Sequence, residues 1–202
     1  MTTSLGLFLL SAAAISLSGV MLPGPLTAVT IAKGYRNQNA GSLIAIGHAI
    51  IEIPLMVLVY FGFAQFFASP ETKKIIGILG GLMLIVMGLL VFRDVRKTAG
   101  EVADLPYNSL TAGIMMTGTN PYFFLWWAFT GIKLIVDAAV FGIIGLILFA
   151  AVHWSCDLAW EQVISMSVFR TRHLWTPKMQ KIVFGVCASV LIGFGIYFCL
   201  SA

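Results

Sequence analysis

Five ionisable side chains stand inside long apolar stretches of the sequence. His48 precedes Glu52 by four positions, and His153, Asp157 and Glu161 follow one another at the same interval. Residues four apart lie on one face of an α-helix, so each set forms a single polar stripe. Imidazole and carboxylate groups can exchange protons, hold a cationic ligand or coordinate a metal ion. The two stripes are therefore the first candidates for a functional site.

A structural role is the alternative for part of this set. His48 and Glu52 can form a hydrogen-bonded pair that ties helices together. Glu161 stands near one end of its apolar stretch, where a long side chain can reach the lipid headgroups. His173 lies in a basic loop, where we expect it to be solvated.

The surrounding sequence is that of an integral membrane protein. Of its 202 residues, 59% are hydrophobic and 10% are charged, and the mean hydropathy is +0.98. Soluble domains carry about 25% charged residues and lack successive uncharged segments of membrane-spanning length. A charge at the centre of a bilayer costs from about 2.5 kcal/mol upward, so the ionisable stripes should face the bundle interior or a wet cavity.

Six membrane-spanning helices fit the hydrophobic segments. Their approximate bounds are Ser4 to Ala32, Ala40 to Ser69, Ile75 to Phe92, Asn108 to Ile132, Ala138 to Val168 and Ile182 to Ala202. The first, second and fifth exceed the roughly 20 residues of a straight span, which predicts tilt, a break or an extension beyond the bilayer. The predicted fold class is all-α, in a single transmembrane domain over residues 1–202.

Each half of the chain contains three of these spans. The halves are about 1–97 and about 105–202, and the mixed-charge stretch at about 93–107 is interpreted as the linker between them. An odd number of spans per half gives the two halves opposite orientations. The sequence therefore predicts two inverted three-helix repeats.

The first span of each half carries a prolyl break. Pro23-Gly24-Pro25 interrupts one span and Asn120-Pro121 interrupts the other. Proline lacks the N–H that a helix needs, so Pro121 should free the carbonyl of Thr117. Broken helices at corresponding places in two halves indicate a transporter binding site, although a structural kink is the alternative for each break.

Basic residues are concentrated in the loops on one predicted side of the membrane. Nine of the 12 lie there, namely Lys33, Arg36, Arg93, Arg96, Lys97, Arg170, Arg172, Lys178 and Lys181. The positive-inside rule makes this side cytoplasmic and places both termini outside. The excess of basic residues that gives the net charge of +4 is thus explained by the orientation in the membrane. We therefore expect no nucleic-acid partner. The first apolar run is too long for the core of a signal peptide, so we expect it to remain as a span.

Residues of four different spans are expected at similar depths in the membrane. At about 1.5 Å per residue from the assumed cytoplasmic ends, Glu52 lies about 18 Å in, Asp157 about 17 Å, Pro23 about 14 Å and Pro121 about 20 Å. The paired breaks and the polar stripes therefore predict one site near the centre of the membrane.

Several motifs resemble those of a known transporter family. They are Gly19-x-x-x-Pro23-Gly24-Pro25, the turn Lys33-Gly34-Tyr35-Arg36 with Gly41, Gly47-His48-x-x-x-Glu52, and Thr119-Asn120-Pro121. Together they are similar to the lysine exporter family of amino-acid exporters (LysE/RhtB type) over essentially the whole chain. The Pro-Gly-Pro element is the most specific of them. The resemblance implies an exporter of amino acids in the cytoplasmic membrane, driven by the proton motive force.

The resemblance also implies where the substrate binds. The central site would consist of Pro23, Gly24, Pro25, Thr119, Asn120 and Pro121. Glu52 corresponds to a second-span carboxylate found in many relatives. Bulky residues such as Ile51 stand where many members have small ones, and the symmetry of the two His and acid pairs matches no particular subfamily. The substrate therefore stays open at this point.

The mechanism predicted from these residues is proton-coupled alternating access. Helix N-termini after Pro25 and Pro121 suit the carboxylate of an amino acid. Asn120 and an ionised Glu52 or Asp157 suit its ammonium group. The predicted ion-coupling residues are His48, Glu52, His153, Asp157 and Glu161. Rocking of one three-span half against the other would expose the site to each side in turn.

Other functions remain compatible with the same residues. A divalent-metal exporter is one, because two histidines with three carboxylates suit Mn²⁺, Zn²⁺ or Ni²⁺, and related members also export metal ions. No His-rich cytoplasmic loop or cysteine pair supports it, and Cys156, Cys187 and Cys199 are interpreted as packing residues. An intramembrane enzyme using His153 and Asp157 as acid and base is another, but no nucleophile motif accompanies them.

Amino-acid export is the favoured hypothesis, so we expect no enzymatic activity, no cofactor and no resident metal ion. The expected partners are a small-molecule substrate and the lipid bilayer. Many helix faces are apolar enough for a homodimer as well.

Overall fold

Residues 4–21, 24–62, 70–95 and 107–201 are described in the computed structural model of the chain, and nearly all of them are helical. The helices are α1 (Leu5–Val20), α2 (Pro25–Gly34), α3 (Ala40–Tyr60), α4 (Pro70–Val95), α5 (Ser109–Gly118), α6 (Pro121–Trp126), α7 (Ile132–Ala139), α8 (Gly142–Thr171) and α9 (Pro177–Ser201). A π-helical segment, Trp127–Gly131, joins α6 to α7, and a 3₁₀ turn, Arg172–Leu174, follows α8. The all-α prediction is confirmed for these ranges.

Among the described residues, five helices are long and apolar enough to cross a membrane. They are Ala40–Tyr60, Pro70–Arg93, Pro121–Ala139, Gly142–Leu174 and Pro177–Leu200. Helices α1 and α2 form a sixth when they are counted as one broken span, with a bend of 77° between them. The chain is therefore a multi-pass membrane protein, and the number of spans agrees with the prediction.

Bounds of the last three predicted spans were wrong. The fifth begins at Gly142, not Ala138, and the sixth begins at Pro177, not Ile182. The fourth span was expected to end at Ile132, but the helix continues to Ala139, and the turn falls at Gly142, where φ is +67°. Lys133 and Asp137 suggested a loop, yet they stand four apart on the exposed face of α7 and form an ion pair of 2.7 Å. Such a pair supports the helix that contains it.

Two bounds in the first half differ as well. Helix α3 ends at Tyr60 and is followed by Gly62 with φ of +92°, so it is shorter than the predicted span to Ser69. Helix α4 begins at Pro70, five residues before the predicted start. Residues 63–69 and most of the predicted linker, at 96–106, lie outside the described residues.

Helices α3 and α8 form the centre of the bundle. Helix α3 packs against α5 and α8, and α8 also packs against α1 and α2. A side chain at Gly41 would collide with the carbonyl of Glu161 on α8, and one at Gly113 with the carbonyl of Ile44 on α3. Glycine therefore allows α3 to approach both neighbours closely. Helices α4 and α9 pair with each other, and the inverted relation of the two halves stays a prediction.

A buried polar layer separates two apolar clusters along α3. The first cluster joins α4 and α9 to α2, α3 and α5, and includes Leu84, Met87, Phe184 and Leu191. The second joins α1, α3, α7 and α8, and includes Phe8, Trp127, Ile135 and Phe149. Ile44 belongs to the first cluster and Leu55 to the second, so His48 and Glu52 lie between the two.

Candidate functional site

Glu52 lies at the centre of a buried hydrogen-bonded cluster. Its Oε1 is 3.0 Å from Nε2 of His48 on the same helix and 3.0 Å from Nε2 of His153 on α8. An ionised carboxylate only accepts hydrogen bonds, so both imidazoles donate their Nε2–H to an ionised Glu52. Glu52 is 1% exposed. The stripes on α3 and α8 therefore face each other inside the protein.

Each histidine is held through its second ring nitrogen. His48 Nδ1 lies 2.7 Å from Oγ1 of Thr117 on α5. His153 Nδ1 lies 2.6 Å from Oγ of Ser16 on α1. These contacts fix the orientation of both rings. The five side chains form one connected chain of polar contacts across α1, α8, α3 and α5.

Asp157 adds a second carboxylate to the cluster. Its Oδ1 is 3.8 Å from His48 Nε2, and its Oδ2 is 3.8 Å from His153 Nε2. Both distances exceed hydrogen-bonding range. Within the described residues, Asp157 Oδ2 and Glu52 Oε2 are buried and make no hydrogen bond. Buried polar atoms in proteins are normally hydrogen-bonded, so these two oxygens can bind a water molecule, a proton or a ligand.

Glu161 lies one turn further along α8 and is also buried, at 1% exposure. It stands beside Thr30 of α2. In the described part of the chain, neither Glu161 Oε2 nor Thr30 Oγ1 makes a hydrogen bond. The Glu161 side chain is thus enclosed by helices and does not extend to the lipid headgroups, which was the alternative considered from the sequence. His173 is exposed, as expected.

The first break lies between α1 and α2. Pro23 lies outside the described residues, whereas Gly24 is extended, with φ of −156° and ψ of −170°, and precedes the first residue of α2. Pro25 occupies the first helical position, which needs no N–H. The N-cap residue Gly24 has no side chain, so it cannot accept a hydrogen bond from the first-turn N–H groups of α2.

The second break lies at Thr119 and Asn120, between α5 and α6. The Thr119 hydroxyl donates to the carbonyl of Met115 at 2.7 Å, and Asn120 Oδ1 accepts from the Tyr122 N–H at 3.0 Å. Asn120 is thus the N-cap of α6, and Pro121 is its first residue. The Thr117 carbonyl was expected to be free, and this is wrong. It accepts from the Asn120 N–H at 3.2 Å, because the chain turns there instead of continuing the helix.

Aromatic rings connect both breaks to the polar cluster. Phe123, just after the second break, lies edge-on to His48 with ring centroids 5.2 Å apart. Trp126 stacks on His153 with ring centroids 5.3 Å apart, and its indole lies next to Gly19, the second-last residue of α1. Rings of the helix that follows the second break therefore pack against both histidines of the cluster.

Comparison with known proteins assigns the family. The LysE type translocator family matches residues 17–202, which is nearly the whole chain. The chain belongs to this family. A relative from Bacillus subtilis (strain 168), named "Putative amino acid efflux protein YcgF", is 24% identical over 183 residues, which cover 87% of each chain. No solved structure matched the chain.

The match confirms the resemblance that the motifs indicated. A LysE type translocator is a transporter, and the multi-pass helices agree with this assignment. A transporter binds and releases its substrate unchanged.

Sequence reasoning missed several residues that contact the cluster of this translocator. Ser16 and Thr117 are single hydroxyls in apolar helices, and their histidine partners lie 137 and 69 positions away. Phe123 and Trp126 are two of many aromatic residues in the chain. The one available signal was position, because Ser16 and Thr117 both stand within seven residues before a prolyl break.

Proposed function

We propose that this translocator exports amino acids from the cytoplasm by proton-coupled alternating access. Membership of the LysE type translocator family and the name of the relative support export of this substrate class. The observation that carries the proposal is the position of the buried cluster around Glu52. It contacts α1 and α5, the two helices that end at the breaks, through Ser16 and Thr117.

The substrate carboxylate binds at the first break in this proposal. Gly24 and Pro25 form one wall of the site, to which Pro23 is also assigned from the sequence. The N-terminus of α2 supplies N–H groups and the positive end of the helix dipole. The N-terminus of α6 is different, because the Asn120 side chain already accepts from the Tyr122 N–H. The opposite wall is formed by Thr119, Asn120 and Pro121.

The substrate ammonium group binds at the acidic stripes. Glu52 Oε2 and Asp157 Oδ2 are buried, and within the described ranges they make no hydrogen bond, so they can accept from an ammonium group. When the ammonium group leaves, a buried carboxylate without a partner is costly, and a proton can take its place. This exchange would couple proton entry to export. The proposed ion-coupling residues are His48, Glu52, His153, Asp157 and Glu161.

The protein is proposed to lie in the cell membrane with both termini outside. The Lys33 ammonium group donates to the carbonyl of Tyr107, and Arg172 donates to the carbonyl of Tyr35 at 3.1 Å. These contacts join the ends of three basic loops on one face of the bundle. By the positive-inside rule, this face is cytoplasmic.

Polar contacts hold α8 to the start of α3 on the basic face. The Gly41 N–H donates to Ser165 Oγ at 3.0 Å, and the Ser42 N–H donates to Gln162 Oε1 at 3.0 Å. Alternating access requires the two halves to separate at this face, so these contacts must break during the transport cycle.

Export by reconstituted protein tests the proposal. Liposomes containing the purified protein are loaded with a mixed pool of amino acids, and release is followed with an imposed pH gradient, without one, and after addition of a protonophore. We expect faster release of one group of amino acids with the gradient, and loss of the difference with the protonophore. Parallel liposomes are loaded with Mn²⁺. Release of Mn²⁺ without release of any amino acid would overturn the proposal.

A further inference from the structure

We propose that His48, Glu52 and Asp157 bind a divalent first-row transition-metal ion. Each residue offers one ligand atom, and the three atoms lie within 4.8 Å of one another. All three side chains are buried. The proposal concerns equilibrium binding by these side chains and does not depend on which substrate the protein exports.

The distances between the ligand atoms are close to the edges of a coordination polyhedron. Metal bonds to nitrogen and oxygen of about 2.0 to 2.2 Å place neighbouring ligand atoms about 3.0 to 3.5 Å apart. His48 Nε2 is 3.0 Å from Glu52 Oε1 and 3.8 Å from Asp157 Oδ1. The third edge, between the ligand atoms of Glu52 and Asp157, is no longer than 4.8 Å. The Asp157 carboxylate must therefore move closer to the other two side chains for all three to bind one ion.

Surrounding groups already orient these ligands. To bind a metal ion, Nε2 of His48 releases the proton that it otherwise donates to Glu52. Nδ1 then keeps its proton and donates it to Thr117 Oγ1, which lies 2.7 Å away. His153 Nε2 lies 3.0 Å from Glu52 Oε1 and can donate to it. Metal-binding histidines and carboxylates in proteins have such partners, which fix the ring orientation and tautomer of the ligands.

The unpaired carboxylate oxygens are an independent observation that points to a ligand. Asp157 Oδ2 and Glu52 Oε2 are buried, and neither makes a hydrogen bond to a described residue. A divalent cation would neutralise both carboxylates and can take either oxygen as a further ligand. The mixture of imidazole and carboxylate favours Zn²⁺, Co²⁺, Ni²⁺ or Mn²⁺, whereas Mg²⁺ and Ca²⁺ prefer oxygen ligands alone.

Titration with Co²⁺ tests the site directly. Purified protein without an affinity tag is washed with EDTA in detergent, and Co²⁺ is added while the visible absorption of the ion is recorded. We expect one Co²⁺ per chain, with a spectrum that differs from that of the aqueous ion and that disappears on addition of Zn²⁺. Asp157→Asn and His48→Gln should each weaken binding by at least about tenfold.

Substitutions at three further positions test whether Co²⁺ binding depends on this site specifically. Thr117→Ala should weaken Co²⁺ binding by about tenfold, and Thr117→Ser should restore it, because serine keeps the hydroxyl beside His48 Nδ1. Glu71→Gln, which changes an exposed carboxyl in the first turn of α4, and His173→Ala, which removes an exposed histidine, should leave binding unchanged. Circular dichroism checks that each variant is folded.

Two results would overturn the metal site. One is the absence of stoichiometric Co²⁺ or Zn²⁺ binding by the folded wild-type protein. The other is unchanged binding by folded Asp157→Asn and His48→Gln, since the ion would then be held by other residues.

Discussion

Glu52 Oε1 and His153 Nε2 lie 3.0 Å apart, although the two residues are separated by 101 positions in the sequence. The contact joins α3 to α8 at the centre of the bundle. The same oxygen is also 3.0 Å from His48 Nε2. One carboxylate oxygen therefore holds two histidines, and each of them contacts a helix that ends at a break.

Replacement of Glu52 is expected to abolish the effect of the pH gradient. Glutamine cannot take up or release the proton that Glu52 is proposed to exchange, so Glu52→Gln should lower the initial rate of gradient-driven export by at least about tenfold. The rate is measured in liposomes that contain equal amounts of each variant. Glu71→Gln, at an exposed position in the first turn of α4, serves as the matched control. Export by Glu52→Gln at the wild-type rate would exclude Glu52 from coupling.

Ser16 and Ser18 offer a matched pair on α1. Ser16 is buried and contacts His153 Nδ1, whereas Ser18 is exposed and donates to the carbonyl of Ile15. A buried polar group that loses its partner costs about 1 to 3 kcal/mol, so Ser16→Ala should slow export at least about fivefold. Ser18→Ala should export like the wild type. Equal effects of both substitutions would contradict a specific role for the contact between Ser16 and His153.

Substitution of the N-cap residues Asn108 and Asn120 distinguishes an effect on helix stability from an effect on transport. Asn120 accepts from the Tyr122 N–H at the second break, and Asn108 accepts from the Thr111 N–H at the start of α5. Replacing either by alanine should lower the free energy of unfolding by about 1 kcal/mol, as measured by thermal unfolding in detergent. Only Asn120→Ala should also reduce export. A similar loss of export in Asn108→Ala would indicate that stability alone explains the effect.

Close packing of α5 against α3 predicts a strong effect of a single methyl group. A side chain at Gly113 would meet the carbonyl of Ile44, whereas no atom of the described residues lies within 4 Å of a Cβ placed at Gly185 on α9. Gly113→Ala should lower the free energy of unfolding by about 1 to 3 kcal/mol. Gly185→Ala should leave it unchanged or raise it by up to about 1 kcal/mol, since alanine favours the helix. A comparison of the two thermal transitions tests this, and equal transitions would count against the close approach.

The orientation in the membrane can be tested with single cysteines. In a background in which Cys156, Cys187 and Cys199 are replaced by alanine, Lys178→Cys should react with an impermeant maleimide only from the cytoplasmic side. Lys133→Cys, at an exposed position of α7, should react only from the outside. These outcomes follow from the positive-inside rule. The reverse pattern would place both termini in the cytoplasm.

Most of the fold could be predicted because its signals are local. The length of each apolar segment, the four-residue spacing of His48 and Glu52, and the break before Pro121 all depend on neighbouring residues. The end of the fourth span was placed too early, because Lys133 and Asp137 lowered the hydropathy there. In the helix they form an ion pair on an exposed face, which hydropathy alone does not detect.

The sequence by itself determined the membrane class, the number of spans, the two breaks and the polar stripes on α3 and α8. Each of these follows from helix period, proline chemistry or the cost of charge in lipid. The tertiary structure decided which residues meet, namely Ser16 with His153, Thr117 with His48, and Glu52 with both histidines. These partners are far apart in the chain, and only the packing of α1, α3, α5 and α8 brings their side chains within hydrogen-bonding distance.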